Sequence, residues 1–300
     1  MKKLGIFTLV LLLTGCAGAS NSSTYTISQD DVRLISLDTP ATFSVSRVVV
    51  LANGVAEIME SLNAKSILVG RDISSTEKSL ESVPIVTSGH QVVPENILTL
   101  KPELVIIDAS TGPTSAINQI RSAGIKVIQT PESWNLSDIN KKIRAVGQAI
   151  GASKGAEALI ASMEQDLSAA SVSNKPRVAF LYLRGTSSVY LIGGPGSGAD
   201  SLLDSVGAID VGAQILDRPF NTLTAESLAT LNPDVILVMS KGLESVGGVE
   251  GLIKLPGVAQ TKAGKNSAVI DVDDSLLLSF GPRTPSLLEQ LVKGLKKVAP

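Results

Sequence analysis

Residues 94–107 read PENILTLKPELVII, and residues 225–238 read AESLATLNPDVILV, at a spacing of 225 − 94 = 131 positions. Glutamate, threonine, leucine and proline recur at equivalent places, at 95, 99, 100 and 102 in the first copy and at 226, 230, 231 and 233 in the second. In each copy we predict a short amphipathic helix that ends before the proline, because proline disfavours helix at the residue preceding it. The continuous apolar run that follows predicts a strand buried on both faces, which is typical of parallel sheets.

A second strand-and-helix pattern precedes each copy. Apolar, β-branched runs at Val48–Leu51 and Val178–Leu181 lead to helical patterns at Gly54–Ala64 and Gly198–Ala208. Strands that alternate with helices predict βαβ units and a parallel sheet. We therefore predict an α/β protein with two Rossmann-like lobes, each built on a parallel sheet, at residues 45–150 and 175–300.

A long helical pattern separates the two predicted lobes. Apolar residues recur at helical spacing from Leu136 to Ala170, with glycines at 147, 151 and 155 as possible breaks. We assign residues 151–174 to one long α-helix that joins the lobes. A single joining helix predicts a stiff connection with little hinge motion.

The N-terminal residues have the pattern of an export signal. Lys2 and Lys3 precede the apolar run Ile6–Leu13, which is shorter than the roughly 20 residues that span a bilayer. The sequence LTGC that ends at Cys16 resembles the lipobox of bacterial lipoproteins, in which the cysteine is lipidated. Residues 1–16 are thus interpreted as a lipoprotein signal peptide with its lipobox, and an uncleaved anchor helix is the alternative. Residues 17–44 are predicted to be a flexible tether and entry segment, because residues 17–30 are rich in small and polar residues.

The composition narrows the possible chemistry. A net charge of −2 and the lack of a basic cluster argue against nucleic-acid binding. Cys16 is the only cysteine, so its lipidation would exclude disulfides, zinc–thiolate sites and cysteine catalysis. His90 is the only histidine and there are three tyrosines, which leaves few candidates for metal or nucleophile chemistry.

Taken together, the lipobox, the two predicted lobes, the paired helix–proline–strand elements and the joining helix resemble the substrate-binding proteins of ABC importers for iron-siderophores, cobalamin and haem. The resemblance extends from about residue 47 to the C-terminus. Five segments further resemble the haem-binding branch found in Gram-positive actinobacteria: TSGH at 87–90, FLYLRGT at 180–186, GSGAD at 196–200, VMSKGLESVGGV at 238–249 and LSFGPRT at 278–284.

This resemblance implies a class III periplasmic-binding-protein architecture and a binding protein, not an enzyme. It implies haem as the transported ligand, ABC permease and ATPase subunits as partners, and haem receptors upstream. It also implies a location outside the cytoplasm, anchored to the cell membrane by lipid.

The resemblance implies that His90 and Tyr182 are the ligands of the haem iron. His90 lies between a predicted strand and the helix at residue 94, and loops at the carboxyl ends of parallel strands bind ligands in α/β proteins. Tyr182 follows a strand at the matching edge of the second lobe, and tyrosine is a known axial ligand of haem. Arg184 lies two positions further on, where an extended chain points the same way, so its charge would favour the phenolate. On the residues alone, an exposed loop histidine and a core tyrosine remain the alternatives, and Tyr190 is the rival tyrosine ligand.

Three further residues are candidates for contacts with the ligand. Met239 ends the apolar strand of the second copy, and the resemblance implies that its thioether lies near the haem. A methionine that only fills the core is the alternative. Lys241 and Arg283 are candidates to pair with the haem propionates.

Glu95 and Glu226 occupy the same place in the two copies, on the first turn of the helix. The helix dipole favours an acidic side chain there, so capping alone would explain them. The resemblance implies that one such glutamate in each lobe docks into the permease.

Two alternative functions remain open. Residues 194–199, GPGSGA, match the dinucleotide-binding pattern GxGxxA and would suit a nucleotide-dependent enzyme, but no acidic residue ends a clear second strand about 20 positions on. A ferric siderophore or a corrinoid would keep the family and change the ligand, although the chain is poor in the aromatic residues that siderophore sites use.

Overall fold

Two larger β-sheets, one in each lobe, organise the fold. The computed structural model describes residues 24–37, 42–166, 171–183, 185 and 190–299. The first strand, β1 (Thr24–Ile27), opens this part of the chain and is followed by a 3-10 turn at Gln29–Asp31. Within the described residues, no helix combines the length and the apolar character needed to cross a membrane.

The N-terminal lobe contains a four-stranded parallel sheet. Its strand order is β3-β2-β6-β7, and a separate two-stranded hairpin, β4–β5, lies beside it. The elements are β2 (Val48–Val50), α1 (Val55–Ser61), β3 (Leu68–Arg71), β4 (Thr87–Ser88), β5 (Gln91–Val92), α2 (Pro94–Thr99), β6 (Leu104–Ile107), α3 (Thr114–Ser122), β7 (Lys126–Gln129) and α4 (Ile139–Ile150), with 3-10 turns at Lys65–Ile67, Lys78–Leu80 and Leu136–Asp138.

The C-terminal lobe contains the larger sheet, whose strand order is β1-β13-β12-β8-β9-β11 with β10 also paired to β8. The elements are α5 (Ser153–Asp166), β8 (Arg177–Tyr182), β9 (Tyr190–Gly193), α6 (Ala199–Ser205), β10 (Ile209–Asp210), β11 (Phe220–Leu223), α7 (Ala225–Leu231), β12 (Val235–Met239), α8 (Ser240–Ser245), α9 (Gly248–Leu252), α10 (Lys262–Asn266), β13 (Val269–Val272), α11 (Asp274–Leu277) and α12 (Thr284–Val298). The predicted two-lobed α/β architecture is confirmed.

The prediction of a wholly parallel second sheet is wrong at one edge. β9 runs antiparallel to both β8 and β11, whereas β1, β13, β12, β8 and β10 are parallel. Only residues 183–189 separate β8 from β9. That connection is too short for a parallel crossover, which needs a dozen or more residues.

Apolar side chains of the central strands are buried on both faces of each sheet, as the unalternating runs predict. Val48 and Val50 of β2 belong to one buried cluster, and Val49 between them belongs to another. The first cluster also contains Val178 and Phe180 of β8. One apolar core therefore continues from the first sheet to the second, which ties the lobes together.

The prediction of one long joining helix over residues 151–174 is wrong at both ends. Gly151 adopts the left-handed conformation, with φ 81°, and ends α4; glycine is favoured there because it lacks a Cβ. The joining helix is α5, and residues 171–176 are not helical, while 167–170 lie outside the described residues. α5 folds back along α4, since Arg144 pairs with Glu157 at 2.7 Å.

The predicted tether over residues 17–44 is also wrong in part. β1 pairs in parallel with β13 at the edge of the C-terminal sheet, Ile27 is fully buried, and the Tyr25 hydroxyl donates to Gln290 Oε1 at 2.8 Å. The run TYTI has high β-propensity, which the polar composition of the wider window conceals. Residues 1–23 and 38–41, which include the predicted signal peptide and Cys16, lie outside the described residues.

Candidate functional site

A cleft of about 420 Å³ lies between the lobes, where the carboxyl ends of strands from both sheets meet. The N-terminal lobe contributes the residues after β2, β3 and β6 and the β4–β5 hairpin. The C-terminal lobe contributes the residues at the ends of β8, β12 and β13. This volume falls in the range of roughly 300–1,000 Å³ that is usual for small-molecule sites.

His90 reaches the cleft from the N-terminal lobe. It lies in the two-residue turn Gly89–His90 that joins β4 to β5, its side chain is exposed, and it lines the cleft. The hairpin is fixed to the lobe because the Val92 amide donates to Gly112 O at 2.9 Å and Thr87 Oγ1 accepts from the Ile73 amide at 3.1 Å. His90 lies at the cleft as predicted, but in an antiparallel hairpin turn and not in a loop after a parallel strand, and its role as an iron ligand stays a prediction.

Tyr182 reaches the same cleft from the C-terminal lobe. It is the last residue of β8, is half-buried, and lines the cleft. Its ring meets the ring of Phe220 edge-on, with centroids 5.7 Å apart and planes inclined by 66°. The structure thus brings Tyr182 and His90, which are 92 positions apart (182 − 90), to opposite sides of one cavity.

Met239 and Lys241 also line the cleft, beside Tyr182. Met239 ends β12 and is half-buried, so it is not a fully enclosed core residue. Lys241 is exposed, and its backbone amide donates to Asp274 Oδ2 at 2.9 Å, which holds the start of α8 against the residues after β13. Both residues are placed where a ligand in the cleft would meet them.

The prediction that Arg283 contacts the ligand is wrong. Arg283 is 5 % exposed and does not line the cleft. Its Nε donates to Glu57 Oε2 at 2.9 Å and its Nη2 donates to Glu77 Oε1 at 2.8 Å. The Arg283 guanidinium is paired with two carboxylates from the other lobe. Both are far from Arg283 in the sequence, so the motif around Arg283 does not indicate this pairing.

Two other candidates cannot be placed at the cleft. Arg184 lies outside the described residues. Only the backbone of Tyr190 is described, in β9, where it pairs with Leu223 of β11. The role of Arg184 beside Tyr182 and the choice between the two tyrosines stay predictions.

Sequence reasoning missed the acidic residues of the cleft. The described lining contains the carboxylates of Asp72, Glu77 and Asp274 in addition to the ammonium of Lys241. Burial raises the pKa of Glu77 from its usual range to about 7, although the Arg283 guanidinium acts in the opposite direction. Sequence position could have identified two of these acidic residues as part of the site, because Asp72 directly follows β3 and Asp274 lies two residues after β13.

Glu95 and Glu226 occupy equivalent places in the two lobes. Each is exposed and lies in the first turn of a short helix, α2 or α7. Neither lines the cleft. Their predicted equivalence is confirmed, and their role in docking stays a prediction.

The glycine-rich loop at 194–199 does not present free amides to a phosphate. The carboxylate of Asp200 accepts from the Gly196 amide at 2.8 Å and from the Gly198 amide at 3.0 Å. The preceding strand, β9, is antiparallel to β8, so the loop is not part of the βαβ unit that dinucleotide binding uses. Among the described residues, no group of three or more His, Cys, Asp or Glu side chains is placed to hold a metal ion.

The chain is similar to known proteins in sequence and in overall structure. Residues 48–276 match the family model of the periplasmic binding proteins. The periplasmic haem-binding protein RhuT from Roseiflexus sp. RS-1 is 37 % identical, with 86 % of this chain and 100 % of RhuT covered and a TM-score of 0.81. The haem-binding protein HmuT is 32 % identical, with 92 % of this chain and 98 % of HmuT covered and a TM-score of 0.81. The uncharacterised ABC transporter substrate-binding lipoprotein YvrC of Bacillus subtilis is 27 % identical over 98 % of this chain and 97 % of its own length.

HmuT structures have also been solved with alanine in place of an arginine, a histidine or a tyrosine, and in HmuT that arginine lies two positions after that tyrosine. Arg184 and Tyr182 have the same spacing in this chain. The agreement in overall structure with RhuT and HmuT confirms the predicted class III periplasmic-binding-protein architecture.

Proposed function

Because the chain belongs to the periplasmic binding protein family, we propose that it is the extracytoplasmic substrate-binding component of an ABC importer and that it carries haem between its lobes. One observation carries the ligand assignment. His90 and Tyr182, two residue types that ligate haem iron, line the same cleft from opposite lobes.

In this proposal His90 and Tyr182 hold the two axial positions of the iron. A phenol needs stabilisation to bind as phenolate, because its ordinary pKa is about 10. Arg184 supplies that stabilisation through its positive charge. The arginine, histidine and tyrosine that have been varied in HmuT support this trio, since the spacing of arginine and tyrosine is the same in both chains.

The remaining cleft residues act on the macrocycle. Met239 packs against the ring with its polarisable thioether. Lys241 is the cationic lining residue in the described part of the cleft, and it pairs with a propionate. Asp72 and Glu77 would repel a propionate, so we expect both propionates to point away from these two carboxylates, with the Lys241 ammonium outweighing the neighbouring Asp274.

Delivery to the membrane uses other parts of the chain. Glu95 and Glu226 dock one on each half of the permease, which works with its ATPase subunits, and upstream haem receptors supply the ligand. Lipid on Cys16 holds the protein at the outer face of the cell membrane. The exposure of both glutamates on equivalent helices supports the docking role.

A corrinoid or a ferric siderophore is the second candidate ligand, because the family also contains binders of both and a relative in Halobacterium salinarum is named a cobalamin-binding protein. The test is an absorbance titration of the purified protein with hemin, cyanocobalamin and a ferric hydroxamate in parallel. Haem binding predicts a sharpened, shifted Soret band that saturates at a fixed stoichiometry. A saturating change with cyanocobalamin or the hydroxamate, and only nonspecific broadening with hemin, would replace haem by that ligand.

A further inference from the structure

A buried ionic cluster crosses from one lobe to the other beneath the cleft. Arg283, at the start of α12 in the C-terminal lobe, donates its backbone amide to Glu57 Oε1 at 2.5 Å and its Nε to Glu57 Oε2 at 2.9 Å. Its Nη2 donates to Glu77 Oε1 at 2.8 Å. Both glutamates belong to the N-terminal lobe, so Arg283 is fixed by three bonds across the lobe boundary, two from its guanidinium and one from its backbone amide. We call Glu57, Glu77 and Arg283 the interlobe brace.

The three side chains of the brace are buried. Glu57 is fully buried, Arg283 is 5 % exposed and Glu77 is 8 % exposed. A Cβ added at Gly281, two residues before Arg283, would lie 2.8 Å from Glu57 Oε1, so the backbone of the C-terminal lobe contacts the carboxylate directly. Only glycine permits this approach.

A second contact crosses the boundary beside the brace. The Lys142 ammonium, 4 % exposed, donates to Asn53 O in the N-terminal lobe at 3.1 Å and to Ser279 O in the C-terminal lobe at 2.6 Å. Gly54 has φ 72°, and a Cβ there would lie 2.2 Å from Ser279 O. The lobes therefore meet backbone to backbone at this point, with a buried cation holding the two carbonyls.

One residue of the brace and several residues beside it also line the ligand cleft. Glu77 lines the cleft, and its Oε2 has no hydrogen-bond partner among the described residues. Asn53, Gly54 and Ser279 line the cleft as well. The cleft floor is thus made of the same residues that fix one lobe against the other.

We propose that Arg283, acting through Glu57 and Glu77, is a positioning residue for the ligand: it sets the separation of the two lobes and so the distance between His90 and Tyr182. This inference rests on the proposed function for the identity of the ligand. A single ligand bridging two rims binds tightly only when the rims are held at the matching distance, because otherwise binding must order them. A forked guanidinium suits this task, since its planar donors fix direction as well as distance.

A stabilising role alone does not account for the brace. Burial of charges costs desolvation energy that their attraction only partly offsets, so well-packed apolar residues would hold the lobes with similar stability. What apolar packing lacks is the directional geometry of three hydrogen bonds. The charged groups that face Glu77 are Arg283, Glu57 and Glu60, and the raised pKa of Glu77 reflects its burial among them.

The test compares two matched double variants. Arg283→Met/Glu57→Gln removes the pairing without leaving Glu57 as an unpaired buried charge, and burial favours the protonated, neutral form of Glu77 once the Arg283 charge is gone. Arg144→Met/Glu157→Gln makes the same changes at the exposed pair between α4 and α5, which does not cross the cleft. Both are made in a Cys16→Ser chain, where thiols introduced at the exposed positions Ser122 and Lys254, one in each lobe, are the only ones.

Two measurements are made on each variant: the spin-label distance distribution between the lobes by pulsed electron resonance, and the rate of haem transfer to excess apomyoglobin. We expect the brace variant to fold, to give a broader distribution, and to lose haem on the order of tenfold faster, which corresponds to ~1.4 kcal/mol. The control should match the parent in both measurements.

A third measurement separates positioning from a general loss of packing. The haem-loss rate of Glu77→Gln is divided by the haem-loss rate of the parent at each pH. This ratio should be near one at about pH 5.5, because Glu77 is then protonated in the parent and resembles glutamine. It should rise at about pH 8, where the ionised Glu77 of the parent pairs with Arg283. A ratio that stays constant with pH, or a brace variant whose lobe distribution equals that of the control, would overturn the proposal. If the parent shows no specific haem spectrum, the proposed ligand is wrong, and the lobe distribution still decides whether the brace fixes the lobes.

Discussion

Tyr182 and Phe220 form an edge-to-face aromatic pair at the rim of the C-terminal lobe, with ring centroids 5.7 Å apart. Phe220 also contacts Phe180, at 6.3 Å, and Phe180 is fully buried in the core. The candidate iron ligand is thus connected to the core through two rings. Its position at the cleft is fixed by packing before any ligand binds.

Phe220→Leu should therefore weaken haem binding without touching the haem. The substitution keeps an apolar side chain and removes an aromatic contact of about 0.5–1.5 kcal/mol, so haem dissociation should speed up about two- to tenfold. Stopped-flow transfer to apomyoglobin measures this rate. Phe43→Leu, at a half-buried position against the shared core, is the control and should leave the rate unchanged. Equal rates for both variants would show that the aromatic pair does not hold Tyr182.

Glu77 should make the stability of the fold depend on pH in a specific direction. Its pKa is about 7 in the folded protein against an ordinary value of 4.5, so between these values the folded state holds a proton that the unfolded state has lost. The contribution of Glu77 to the free energy of unfolding therefore falls as the pH rises from 4.5 through 7, by up to ~3 kcal/mol. Glu77→Gln should be more stable than the parent at about pH 8, and the difference should shrink to near zero at about pH 4.5.

Urea denaturation of the parent and of Glu77→Gln at a series of pH values measures this difference. Other titrating groups are common to both proteins, so they cancel. A difference that does not vary with pH would mean that Glu77 is not the group responsible.

Glu95 and Glu226 should matter for transport and not for ligand affinity. Glu95→Ala/Glu226→Ala removes two exposed carboxylates from equivalent helices outside the cleft, so the haem spectrum and dissociation rate should be unchanged while uptake by cells falls strongly. Glu81→Ala/Glu250→Ala, which also removes one exposed carboxylate from each lobe, is the matched control for net charge. Weaker haem binding with normal uptake in the first double variant would contradict the docking role.

Cys16 should decide where the protein resides. Two acyl chains hold a protein at a membrane far better than one, at roughly 0.8 kcal/mol per buried methylene. Cys16→Ala should therefore appear unprocessed or in the medium when cells are fractionated, and should not incorporate labelled palmitate. A variant that stays lipidated and membrane-bound would show that the LTGC sequence is not the lipidation site.

The sequence was sufficient for the features that depend on local pattern. The runs at 104–107 and 235–238 are strands buried on both faces, as their continuous apolar pattern predicts. Tyr182 lies at the cleft because it ends β8, a strand that is parallel to its neighbour β12. The antiparallel direction of β9 follows from the short connection at residues 183–189. The periodicity of apolar residues predicts strands but does not give their direction. β1 was concealed because its four β-favouring residues lie in a polar window.

The brace was beyond sequence reasoning for a different reason. Arg283 lies 226 positions from Glu57 and 206 from Glu77, and no local pattern connects them. The motif that contains Arg283 suggested that its charge contacts an anionic ligand. In the folded protein Arg283 is buried, and its charge pairs with two carboxylates of the same chain. Only the tertiary structure, which brings Arg283 against Glu57 and Glu77, distinguishes these possibilities.

The most direct test of the account is the absorption spectrum of the ferric haem complex of Tyr182→Phe, with His90→Ala and Tyr190→Phe measured beside it. We expect that Tyr182→Phe removes the charge-transfer band of an iron–phenolate bond, that His90→Ala shifts the Soret band, and that Tyr190→Phe leaves the parent spectrum unchanged. A Tyr182→Phe complex with the parent spectrum would contradict the central claim that iron is held between the two lobes by His90 and Tyr182.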